Sequence, residues 1–225
     1  MIRARPVTAV VAVLVLAVTG TLTAAAPART SLEGAAVSVR AELRGLRQRG
    51  LVLGRRSARV TVVEYADLIC PACAAVSTAV LPAIIAHFVR PGIASIDFEP
   101  LSDSPRSDRL ALGAYSAGVQ RAGWDFVQLV YLRRGGSSGG PLEPAGDLVS
   151  ALRLDRARWR SHLRRRRWAN AIQGAATIAV VGGFTTFPVF VVRRAGKRAR
   201  ATILTPPISL ARLSAAITAA RHSRR

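Results

Sequence analysis

The chain has 225 residues, enough for one large domain, and a formal net charge of +21 from 33 basic and 12 acidic residues. Such an excess implies attraction to anionic surfaces, but no arginine cluster is interleaved with stacking aromatics, which makes nucleic acid the weaker partner class. A structural zinc needs four ligands, and two cysteines with three scattered histidines do not supply them, so neither metal nor cofactor is expected.

In chain order, Arg3 and Arg5 precede an apolar run from Val7 to Val18 and small residues up to Ala28, the pattern of an export signal over residues 1–28. The run is short for a membrane span of roughly 20 residues, so cleavage after Ala28 is expected. Retained, the segment would be a signal anchor with the rest of the chain outside. Both outcomes place the cysteines beyond the cytoplasm (secreted, periplasmic or tethered to the cell membrane), where a disulfide persists. Residues 29–50 read as a leader: Val37, Val39, Leu43 and Leu46 among arginines fit an amphipathic helix over 31–49. Residues 50–54 break it, and the β-branched run 59–65 predicts a buried strand.

Cys70-Pro71-Ala72-Cys73 follows that strand. A helix is expected over 74–89, kinked at Pro82, and a second strand over 93–101, parallel to the first with a right-handed crossover. From 104 to about 180 the pattern is helical: 107–122, 124–133, a Gly/Ser-rich break at 135–140, 148–154 and 155–179. Arg153, Arg156, Arg158, Arg160 and Arg164 to Arg167 make one basic stretch, with Trp159, Leu163 and Trp168 able to face inward. It reads as a solvated helix face or, more sharply, as a contact for anionic lipid or an acidic client. A strand over 189–193, a turn at 195–197, a strand over 201–204 and a helix over 208–220 close the chain.

Two cysteines three apart at a helix start place the first sulfur against unpaired N–H groups and the positive end of the helix dipole. Cys70 is then the nucleophile, and Cys73, one turn in, resolves a mixed disulfide. The competing reading is a non-enzymatic basic surface protein whose Cys70–Cys73 bond is a static staple, against which the strain of so short a loop counts. Glu64 lies in the apolar strand six residues before Cys70. Buried, it would carry a raised pKa and relay a proton to Cys73; alternation along the strand leaves its face open.

Leu53-Gly54, the strand from Val60 to Glu64, Tyr65 to Cys73, Leu81-Pro82, a helical stretch and Thr186-Phe187-Pro188 occur in an ordered series. On these residues the chain resembles a DsbA-like thiol:disulfide oxidoreductase of the thioredoxin superfamily, in exported or membrane-tethered form, over about residues 51–220. The resemblance implies a thioredoxin-like α/β fold over 51–225, with the helical insertion at about 104–180 between the second strand and the cis-proline strand. It implies that Glu64 is the buried acid beneath the disulfide. It also implies that Pro188 is the cis-proline that presents backbone to a client, with Phe187, Thr186, Pro71 and Ala72 lining the docking site. Reduced exported proteins and a redox recycling partner, itself a candidate membrane protein, are the implied partners, with oxidation favoured over isomerisation or reduction. Phe187 departs from the small or β-branched residue usual before that proline, and Ala72 replaces a polar or charged residue, which predicts a weaker oxidant. Asp67 is expected to shape the loop, and Trp124 and Phe126 to pack in the core.

Overall fold

A computed structural model describes residues 31–134, 144–196 and 200–223. The expected export segment, the break at 135–140 and Lys197 of the expected turn lie outside the described residues. Ser31 caps the first helix, α1 (Leu32–Leu43), its hydroxyl accepting from the Gly34 N–H at 3.0 Å. Ala35, Ala36, Val39 and Leu43 form its buried stripe. The helix is shorter than the expected 31–49, because Gly45 takes a positive φ and the chain then forms a hairpin, β1 (Gln48–Arg49) and β2 (Val52–Leu53). Two-residue strands carry no readable period, and this edge hairpin is absent from the sequence pattern.

Among the described residues, six strands form one sheet in the order β1-β2-β4-β3-β5-β6. β3 (Val60–Asp67) lies at the centre, parallel to β4 (Ala94–Leu101) from Val60↔Ala94 to Asp67↔Leu101. β5 (Val189–Arg194) flanks β3 antiparallel, and β6 (Ala201–Leu204) completes the hairpin at the far edge. Between β3 and β4 the crossover is α2 (Pro71–Ala79) and α3 (Leu81–Ile84), which runs on as a π-helical turn over Ile85–Val89. The two segments meet at 42°. The expected kink therefore sits at Val80, where Pro82 falls in the first turn of α3 and its missing N–H costs nothing.

The helical region comprises α4 (Pro105–Gly118), α5 (Gly123–Arg134), α6 (Ala145–Ala151), α7 (Arg156–Leu163) and α8 (Arg166–Val181). A single helix over 155–179 is corrected to α7 and α8. The cause is Trp159 and Trp168, nine residues apart and so on opposite faces of any continuous helix. Both turn toward α4: Trp159 donates its indole N–H to the Gly113 carbonyl at 3.0 Å, and Trp168 stacks on Tyr115 with ring centroids 5.0 Å apart. Only a break at Arg164-Arg165 permits both. α9 (Leu210–His222) ends the chain, its Ser209 cap accepting from the Arg212 N–H.

One sheet face, with Val60, Val62, Ile96, Phe98, Phe190 and Val192, joins the main core with α1, α2, α5 and α9. Trp124 and Phe126 are fully buried there as expected, and the Trp124 indole N–H reaches the Leu51 carbonyl at 2.6 Å. Tyr65, Leu101 and Val189 on the opposite face are covered by Ala175 and Ala179 of α8. The β1–β2 turn packs on the α4–α5 corner so closely that a Cβ on Gly118 would lie 2.8 Å from the Gly50 carbonyl oxygen. Backbone cannot yield as a side chain does, so Gly118→Ala is expected to destabilise by about 1–3 kcal/mol in urea denaturation. No loss would mean that the hairpin moves freely off the corner.

Candidate active site

β3 delivers the chain to the site. After Asp67 the backbone turns sharply, with the Cys70 N–H donating to the Asp67 carbonyl at 3.1 Å and the Ile69 N–H to Asp67 Oδ1 at 2.9 Å. Asp67 thus shapes the loop, as expected. Cys70 is the N-cap of α2, Pro71 opens the helix, and the Cys73 N–H donates to Cys70 Sγ at 3.2 Å. A proline suits that position because its missing N–H is one the helix leaves unpaired anyway.

The two sulfurs differ in kind. Cys70 is half-buried and Cys73 is fully buried, and both are free thiols. The hydrogen bond from the Cys73 side chain lowers the Cys70 pKa to about 6; burial opposes this, and the backbone N–H groups of Cys73 and Ala72 assist. The Asp67 charge works weakly the other way. Cys73 is pushed far above the ordinary thiol range by its bond to Cys70 and by burial. At neutral pH the outer sulfur is the thiolate and the inner one holds the proton.

Glu64 lies on the fully buried face of β3 with Val60, Val62 and Ala66, which resolves the question of its face. Neither carboxylate oxygen has a hydrogen-bond partner among the described residues, and desolvation raises its pKa to about 8. Its charge bears on Cys73 and on Tyr131, whose hydroxyl donates to the Asp67 carbonyl at 3.1 Å. A carboxyl that is neutral near pH 7 can give a proton to, or take one from, its surroundings.

The Phe187–Pro188 peptide is cis, and Pro188 is buried at the head of β5, where Val189 pairs with Tyr65. A groove of about 560 Å³ opens beside Cys70. Of the residues expected to meet a client, it brings together Cys70, Pro71, Thr186 and Phe187. Pro188 is buried and Ala72 is exposed on α2, and neither lines the groove. The groove's other wall was not anticipated: Leu101, Asp103, Phe184 and, from α8, Ala176, Ala179 and Val180. At the end of α8, Val180 and Val181 are 79% and 84% exposed.

A family model described as thioredoxin matches residues 47–133, from the β1–β2 hairpin through the cysteines to α5. The chain has a thioredoxin-like fold. Its fold is that of DsbA-type structures: alpha-DsbA1 of Wolbachia pipientis aligns with a TM-score of 0.66 at 16% identity, covering 76% of this chain and 90% of that one. BdbD of Bacillus subtilis aligns with a TM-score of 0.63 at 17% identity over 79% and 98%. DsbA2 of Pseudomonas aeruginosa gives 0.59 at 24% identity over 77% and 95%. Among curated relatives, Na(+)/H(+) antiporter NhaA 3 of Salinispora tropica is 34% identical over 184 residues, 77% of this chain but 25% of that protein. NhaA 1 of Salinispora arenicola is also 34% identical, over 172 residues and 24% of its length. The chain thus spans about a quarter of these relatives.

Proposed function

We propose that the protein is an extracytoplasmic thiol:disulfide oxidoreductase that forms disulfides in exported proteins. The observation that carries this reading is the asymmetry of the pair: a half-exposed Cys70 with a depressed pKa, held at the helix start by the Cys73 N–H, over a fully buried, protonated Cys73. Stabilising the Cys70 thiolate stabilises the reduced form, which makes the disulfide form oxidising. A static staple would have no use for this asymmetry.

From the oxidised state, a client thiolate attacks Cys70 Sγ. The Cys70–Cys73 bond breaks, a client–Cys70 bond forms, and Cys73 leaves as a thiolate that takes a proton from the Glu64 carboxyl. A second client thiolate then attacks the client sulfur of the mixed disulfide and releases the Cys70 thiolate. The client gives up two electrons and gains a disulfide; the protein ends as the dithiol and is reoxidised by a recycling partner. Thr186, Phe187 and Pro188 hold the client strand beside Cys70, and Pro71 forms the opposing lip of the groove. The placement outside the cytoplasm rests on the export pattern of residues 1–28.

Equilibrating the purified protein against glutathione and trapping free thiols tests this proposal. A reduction potential well above the roughly −270 mV of thioredoxin is expected. A value at or below it would replace oxidation by reduction, and slow exchange at any potential would leave only a structural disulfide.

A further inference from the structure

The exchange reaction leaves the arginine-rich stretch unused. Residues 153–168 hold eight arginines and one acid, Asp155. That acid is engaged as the N-cap of α7, its Oδ1 accepting from the Arg158 N–H at 2.9 Å. Trp159 takes the buried side of α7, while Arg153, Arg156, Arg158, Arg160, Arg164 and Arg165 are exposed. His162 is held below its ordinary pKa by desolvation and by Arg165, Arg158 and Arg167, as a crowd of cations requires.

A solvated face explains exposed arginines but not where these lie. Leu32 and Glu33, at the start of α1, line one surface cavity of about 420 Å³ with Ala151 and Arg153. The Arg40 guanidinium ties α1 to α6 through the Ala151 carbonyl at 3.1 Å. The end of the fold that connects to the apolar run from Val7 to Val18 is therefore beside the first of the arginines. Retained as an anchor, the segment joins the fold through the residues between Val18 and Leu32, which reach at most about 45 Å when extended. α8 leads the other way: from Arg167 to Val180, which lines the Cys70 groove, its axis rises about 20 Å.

We infer that the exposed face of α7 and its flanking turns docks on the anionic phosphate headgroups of the membrane to which the N-terminal run directs the chain. Docking there holds the Cys70 groove about 20 Å farther along α8, open to clients and to a membrane-bound recycling partner. The inference rests on the extracytoplasmic placement proposed above and not on the redox chemistry. Charge supplies the recognition, since each basic residue brought to such a surface strengthens binding about fivefold. Among the described residues no single helix is long and apolar enough to cross a membrane.

The test uses the full chain with vesicles of phosphatidylcholine, alone or with 30% phosphatidylglycerol, compared by flotation and by amide hydrogen exchange over residues 153–168. Exchange there should slow severalfold with phosphatidylglycerol at low salt, but not on phosphatidylcholine alone, and the protection should vanish at 0.5 M NaCl. The variant R158Q/R160Q/R164Q/R165Q should lose the phosphatidylglycerol-specific increment by on the order of several hundredfold, and the matching lysine variant should keep it. Both should retain disulfide exchange in solution, which separates this inference from the redox reading. Equal behaviour on the two vesicle types, an increment that survives the glutamine changes, or equally tight arginine-dependent binding to a short DNA duplex would each overturn it.

Discussion

Cys70→Ser abolishes disulfide exchange, by on the order of a thousandfold or more, while Cys73→Ala turns the protein into a trap for its clients. The first follows because a thiolate is the attacking and attacked group and a hydroxyl cannot replace it. The second follows from the resolving role proposed for Cys73. Without it, the mixed disulfide formed when the Cys70 thiolate attacks a client disulfide has no internal thiol to release it and persists until another thiol arrives. Both variants should fold, since Cys70 is half-exposed and the Cys73 backbone N–H, which holds the helix start, survives either change. Cys73→Ala also removes the largest cause of the low Cys70 pKa, so alkylation of Cys70 should titrate at higher pH than in the parent protein. Non-reducing electrophoresis of client mixtures and pH-dependent alkylation read the two outcomes. If Cys73→Ala accumulates no mixed disulfide with clients that already carry a disulfide, which its Cys70 thiolate can attack without an added oxidant, the proposed order of attack is wrong.

Much of the fold was legible because its elements carry strong local signals. The β-branched run before the cysteines, the proline that opens α2 and the parallel crossover to β4 all follow from residue types whose geometry permits little else. The failures share one cause: each was decided by a tertiary contact with no local trace. Gln48–Arg49 pairs with Val52–Leu53 because the α4–α5 corner receives Gly50, not because four residues prefer strand. The arginine-rich stretch breaks into α7 and α8 because Tyr115 and Gly113 both lie on α4, claiming two tryptophans that one helix would point apart.

The site divides in the same way. Cys70, Cys73, Asp67 and Glu64 are close in sequence along β3 and its turn, so they were legible as neighbours, while the face of Glu64 was decided only by the packing of the strand. Phe187 and Thr186, more than a hundred residues later, came only through the family resemblance, and the register Tyr65↔Val189 brings them to the sulfurs. The α8 wall was not legible, since Ala176, Ala179 and Val180 look like any apolar helix end until the sheet is in place.

The buried carboxyl gives the second large effect, and it runs opposite to the usual acid denaturation. Glu64 has an ordinary pKa of 4.5 in the unfolded chain and about 8 in the fold. Below pH 4.5 both states hold the proton and Glu64 adds no pH dependence. Between 4.5 and 8 the unfolded chain releases it and the folded one keeps it, so stability falls as pH rises. The loss approaches about 4–5 kcal/mol across that window. Asp67 and Asp97, each raised to about 6, and Glu99, raised to about 7, slope the same way, so the parent profile alone does not isolate Glu64. The difference from Glu64→Gln does. Urea denaturation should show the variant gaining on the parent by several kcal/mol from pH 4.5 to 8 and no further above it. The same substitution should slow release of Cys73 from the disulfide by on the order of a hundredfold at neutral pH, because its proton donor is gone. Stability gained and exchange lost in one variant is the signature of a proton carrier kept in an apolar site at the expense of the fold. A flat difference profile would show that Glu64 does not stay neutral in the fold, and unaltered exchange would remove it from the reaction.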